Sequence, residues 1–221
     1  MADRAPDALG RMQRGLEALY RVDTGVAIGD FMVGSELRDA LVSARRPREQ
    51  LLVHEADGEL ALALFIDPGV IANLAAHDPA RRLGDHNFGD FVLALEGVSH
   101  FIYATWCARL ERPVSPLELE LQAEVDKYVT CLLITAADHA PEPAISERLR
   151  RRLFGDAEYE PDLDHEEHAR YRAANDNAER YASWLERAFV ARRKIPEMLA
   201  ELRRFYRLSL AGKLAAIARA A

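Results

Sequence analysis

One stretch constrains this chain more than any other. Residues 91–108, FVLALEGVSHFIYATWCA, run for 18 positions with only Glu96 and His100 as strongly polar interruptions. A helix of that length just spans a bilayer. Glu96 argues for a different setting, because an acidic side chain near the centre of a membrane span costs about 2.5–3.5 kcal/mol. No second long apolar run exists to shelter it. The run is therefore expected to be the buried helix of a globular core. Residues 1–7, MADRAPD, lack the basic and then apolar pattern of a secretory signal, so a cytoplasmic, reducing location is the default expectation.

Composition agrees with a globular chain. Hydrophobic residues make up 49% and charged residues 29% of 221 positions, which excludes disordered and fibrous classes. That length buries a core without disulfides or metal staples. The 2 cysteines, Cys107 and Cys131, exclude both a disulfide scaffold and an all-thiolate zinc site.

Local signals give an α+β chain, predominantly helical, with one small sheet. Residues 5–21 carry Leu9, Met12, Leu16, Leu19 and Tyr20 at helical spacing. A short helix is predicted over 35–44 with Leu37, Ala40 and Leu41 inward. The apolar runs 51–55 and 59–66 flank Ala56-Asp57-Gly58, and Asp-Gly at that place is a hairpin signal. The second run is apolar at nearly every position, which predicts cover on both faces. A lone hairpin is marginal, so it must pack on helices, gain a strand from 22–28, or pair with another copy. Asp67-Pro68 and Ser115-Pro116 each read as a cap followed by the first helical residue. Asp164 with Glu167 three residues on makes a capping box that opens a helix running to about Lys194. One last helical segment follows Pro196. The expected organisation is a single domain over 1–221. It has a helix and hairpin part in 1–80, a central antiparallel helix pair in 87–139, and basic helices in 164–220.

No P-loop, dinucleotide-binding glycine pattern, zincin motif or serine-hydrolase elbow occurs, so no cofactor is expected. What chemistry the sequence offers lies in the central pair. Glu96, Ser99, His100 and Tyr103 share one stripe, and Glu120, Glu124 and Lys127 share another. With the connection centred near Arg112, His100 falls level with Glu124, and Glu96 with Tyr128 and Lys127. Such a cluster either fixes helix register or forms a carboxylate–imidazole metal or acid–base site. The di-iron pattern asks for Glu-x-x-His, and this chain has Glu-x-x-x-His once. A weaker metal candidate is Asp164 with His165 and His168, set against a solvated acidic first turn that favours the helix dipole.

Charge is unevenly spread. From Arg187 onward nine Lys/Arg stand against two Glu, a net of +7, so residues 1–186 carry −14 of the total −7. The overall sign excludes bulk nucleic-acid binding. The basic C-terminal stretch leaves a nucleic-acid or membrane contact as a lesser alternative. Arg203, Arg204, Phe205, Tyr206 and Arg207 are the expected partner-binding residues. The leading expectation is a non-catalytic cytoplasmic adaptor, regulatory or assembly subunit, with self-association among its options. It would dock a partner protein through the basic C-terminal helix or the hairpin edge. The alternative is a small metal-dependent or acid–base hydrolase built on Glu96, His100, Glu120, Glu124 and Lys127.

Overall fold

The computed structural model of this protein describes residues 5–41, 46–56, 59–136, 141–155 and 163–220. The fold is α+β and mainly helical, with one two-stranded antiparallel sheet among the described residues. The chain gathers into two compact units. One comprises residues 1–18 and 22–113, the other residues 19–21 and 114–221.

The first unit opens with α1 (Ala5–Tyr20), whose Leu9, Met12 and Leu16 are buried as their spacing requires. Gln13 of α1 fastens the segment that follows. Its amide donates to Thr24 Oγ1 (3.0 Å) and the Val26 carbonyl (2.7 Å), and its oxygen accepts from the Ile28 N–H (2.9 Å). Residues 22–28 therefore stay beside the helix and do not add a strand. A single parallel bridge, Met32 to Leu64, is what this region contributes to the sheet.

Helix α2 (Ser35–Leu41) corrects the expected orientation. Leu37, Ala40 and Leu41 are exposed, and Arg38 points inward. The Arg38 guanidinium lies 4.1 Å from the Phe65 ring centroid and donates to Asp39 (2.5 Å) and the Pro47 carbonyl (3.1 Å). A planar cation over an aromatic face tolerates partial burial, so this contact sets the face that α2 presents.

Strands β1 (Glu49–Ala56) and β2 (Glu59–Ile66) pair from Glu49↔Ile66 to Ala56↔Glu59. Antiparallel pairing of these two runs is what the sequence predicts. Asp57 and Gly58 themselves lie outside the described residues. Alternation puts Glu49, Leu51, Val53 and Glu55 on one face with Leu60, Leu62, Leu64 and Ile66. Leu64, Phe65 and Ile66 are buried, whereas Val53 and Leu60 are exposed. The expected cover on both faces thus holds for the base of the hairpin and not for its tip.

Helix α3 (Pro68–Ala76) starts on Asp67, whose carboxylate accepts from the N–H groups of Gly69 (2.8 Å) and Val70 (3.4 Å). Helix α4 (Phe88–Arg109) is the long apolar run. It is the one helix among the described residues long and apolar enough to cross a membrane, and 67% of its most apolar window is buried. Both strands and α3 pack on it.

Among its described residues the second unit contains helices and their connections, with no strand. Helix α5 (Pro116–Thr135) begins at Ser115, whose hydroxyl accepts from the Glu118 N–H. Helix α6 (Pro143–Arg150) runs into a π-helical turn at Arg151–Gly155. Helix α7 (His165–Leu185) starts with the predicted Asp164–Glu167 capping box and ends in a second π-helical turn, Glu186–Val190. The single last segment expected from the sequence is two helices, α8 (Ile195–Tyr206) and α9 (Leu210–Ala220). The core of this unit is aromatic. Tyr20 stacks on Tyr206 and Tyr181 on Phe205, each pair with ring centroids 4.0 Å apart.

Candidate functional site

The candidates named by the sequence are divided between the two units. In the first unit Glu96 and His100, one helical turn apart on α4, meet a residue that sequence reasoning missed: Glu49, the first residue of β1. The His100 Nδ1 stands 3.9 Å from Glu49 Oε1, and those two side chains are 9% and 11% exposed. One ligand atom from each of Glu49, Glu96 and His100 lies within 4.8 Å of the others. Both strands lean on α4, which brings β1 across the helix at this level. Glu49 comes close because the helix has no side chain beneath it. A Cβ at Gly97 would sit 2.7 Å from Glu49 Oε1 and 2.8 Å from its Cγ. A glycine in the interior of an apolar helix is the signal that was available, since such a residue commonly marks a close approach.

In the second unit, Glu124 pairs with Lys127 one turn along α5 at 2.7 Å. Glu120 lies 4.0 Å from Arg170 of α7. Asp164 acts as the cap of α7, accepting from the Glu167 N–H at 2.8 Å. His165 is exposed and His168 half-buried, and neither joins a convergent set of three ligand atoms among the described residues.

The C-terminal candidates are inside their own unit. Phe205 and Tyr206 are buried, with Met198 and Leu202, in the aromatic core. The Arg203 guanidinium donates to the Leu19 carbonyl (2.8 Å), and Arg207 donates to the carbonyls of Tyr20 (3.0 Å) and Arg21 (3.1 Å). These are the carbonyls that a helix C-terminus leaves without intrahelical partners. Arg204 instead forms a two-pronged pair with Glu201, at 2.7 and 2.6 Å, and that hydrogen bonding raises its pKa.

Sequence reasoning also missed a buried polar network in this unit. The Lys213 ammonium donates to Gln122 Oε1 (2.5 Å) and the Phe205 carbonyl (3.2 Å). Gln122 in turn donates to Asp126 (2.8 Å), and the Tyr20 hydroxyl donates to the same carboxylate. Lys213, Gln122, Asp126 and Tyr20 are all buried, and burial with the adjacent Asp126 raises the Tyr20 pKa well above the ordinary tyrosine value. The helical stripe of α9 gave no cue, because a lysine within it reads as a solvated residue.

The exposed apolar surface lies elsewhere. Val26, Leu37, Leu41, Val53, Leu60 and Leu110 are the large hydrophobic residues left exposed among those described, and all belong to the first unit. Val53 (55% exposed) and Leu60 (40%) stand on the face of the hairpin that continues, through Leu62, into buried Leu64 and Ile66. Neither a protein-family model, nor a curated protein, nor a solved structure matches this chain.

Proposed function

We propose that this chain is a non-catalytic docking subunit, an adaptor or assembly component, and that its partner-binding surface is the outer half of the β1–β2 hairpin. The observation that carries the reading is the row of apolar side chains that runs from buried Leu64 and Ile66 through Leu62 into solvent at Val53 and Leu60, with Glu55 beside Leu60 at the exposed end. Residues 53–56 of β1 and 60–61 of β2 are exposed, and β1 has no second strand neighbour among the described residues. The exposed half of β1 carries Val53 beside His54 and Glu55, so charge blunts this free strand edge only in part. Its backbone donors and acceptors suit an extended segment of another protein, which gains main-chain hydrogen bonds from the edge and apolar contacts from the face. Burial favours the hairpin over the C-terminal helix as this surface, because the apolar stripe of α8 already lies within its own unit.

A photo-crosslinking residue placed at Val53 or Leu60 in the native host tests this, with exposed Glu147 as the control position. The expected result is one discrete protein captured from the hairpin positions and not from the control. The purified pair should then bind at least tenfold more weakly with Val53→Asp/Leu60→Asp, at unchanged melting temperature. Capture from all three positions alike, or binding indifferent to the double substitution, refutes the reading. A crosslink between two copies of this chain replaces the separate partner with self-association.

A further inference from the structure

We infer that Glu49, Glu96 and His100 form a binding site for one first-row transition-metal dication of the zinc, manganese or iron class. The inference is independent of the docking role proposed above. Glu96 and His100 project from one face of α4, four residues apart. Glu49 enters from β1, so the site joins two elements far apart in sequence. The ligand atoms already converge within 4.8 Å, with His100 Nδ1 and Glu49 Oε1 at 3.9 Å. Donors bound at about 2.0–2.2 Å to one tetrahedral or octahedral ion stand roughly 3–4 Å apart. Side-chain movements of about 1 Å therefore close the cluster on an ion of that bond length.

The glycine at position 97 is a second observation that points to the same use. Glycine weakens a helix interior, and here its missing side chain is the space that Glu49 occupies. A carboxylate is thereby set down beside another carboxylate and an imidazole, in a place largely withdrawn from water. A dication there takes one oxygen from each glutamate and one imidazole nitrogen as its ligands.

The donor set selects the class of ion. Calcium and magnesium are served by oxygen ligands, whereas imidazole mixed with carboxylate suits zinc, iron and manganese. No thiol joins the set, so soft monovalent copper is disfavoured. Three protein donors leave at least one position for water or another exchangeable ligand.

The test uses the full-length chain carrying His165→Ala/His168→Ala, so that the surface histidines add no site of their own. After chelator treatment, Co(II) is titrated by visible absorption and Zn(II) by calorimetry. The expected result is one ion per chain and a rise in melting temperature on loading. Glu49→Gln, Glu96→Gln and His100→Gln should each weaken binding at least about tenfold, the scale on which even outer-sphere changes act. Gly97→Ala should weaken binding too, because the new methyl displaces Glu49. Glu124→Gln, in the other unit, should leave it unchanged. Circular dichroism of each apo variant separates lost ligation from lost folding, and Glu49→Gln, on the strand, keeps the test open where a change within α4 prevents folding. Less than one ion per chain in the parent overturns the inference. So does equal affinity in the parent and all three ligand variants, or binding that requires His165 and His168.

Discussion

Replacing Lys213 by methionine removes the one ammonium from the buried network of the second unit while keeping most of the side-chain volume. The lysine is fully buried, donates to Gln122 and the Phe205 carbonyl, and lies 4.5 Å from the Phe205 ring centroid. Two hydrogen bonds made by a charged donor are lost, each contributing about 1.5–3 kcal/mol. The change also leaves the buried Asp126 carboxylate without the cation that reaches it through Gln122. Breaking one side of a buried charge arrangement costs about 3–5 kcal/mol in all. For a chain of this length each kcal/mol moves the melting temperature by roughly 2–4 °C, so Lys213→Met should melt about 6–20 °C lower. Differential scanning calorimetry and guanidinium unfolding measure the two quantities. The double variant Lys213→Met/Asp126→Asn should recover at least half of the loss, since it removes both charges together. A single variant that loses less than about 1 kcal/mol would show that the network contributes no more than an exposed pair does. A double variant less stable than the single would show that Asp126 is held by Tyr20 and Gln122 without need of the lysine.

Two further outcomes follow from contacts already described. Arg203→Ala and Arg207→Ala should each destabilise the second unit by about 1–2 kcal/mol in urea unfolding, because each leaves carbonyls at the end of α1 without a charged donor; Arg204→Ala, which loses only a surface pair with Glu201, should cost less. Stability should also fall on the alkaline side. Burial pushes the Cys131 thiol from 9.0 to about 12 and the Tyr128 hydroxyl from 10.0 to about 12. The folded chain keeps these protons while the unfolded chain releases them, so this contribution is intact below pH 9 and declines as pH rises towards 12. Guanidinium midpoints measured across that range should flatten in Cys131→Ala, and native Cys131 should resist thiol reagents at pH 8 until the chain unfolds.

What the sequence made legible was local. Asp67-Pro68, Ser115-Pro116 and the Asp164–Glu167 box announce helix starts through groups a few residues apart, and each starts a helix. The pairing of the two strands was also legible, because two apolar runs flank Asp57-Gly58 in the sequence. Contacts between distant segments were not. Helical spacing puts Glu96 and His100 on one face, but only the packing of β1 on α4 supplies Glu49. Periodicity assigned Leu37 and Leu41 to the interior of α2, yet the contact of Arg38 with Phe65 turned the helix the other way. Lys213 shows the same limit. A lone lysine in a stripe gives no sign that Gln122, from 91 residues away, will meet it.

The two π-helical turns, Arg151–Gly155 and Glu186–Val190, have a consequence for how this gene can drift. A π turn holds one residue more than an α-helical turn, and each of these closes its helix, so the surplus residue sits at the end of α6 and of α7. Each turn also buries an apolar side chain, Phe154 in the first and Val190 in the second. Loss of a single codon within either turn returns that last turn to plain α geometry and leaves the faces of α6 and α7 that precede it in phase. Loss of a codon in the middle of α5 or α7 has no such slack and turns an entire buried stripe outward. The second unit thus carries two places where its reading length can shorten by one residue while its architecture survives.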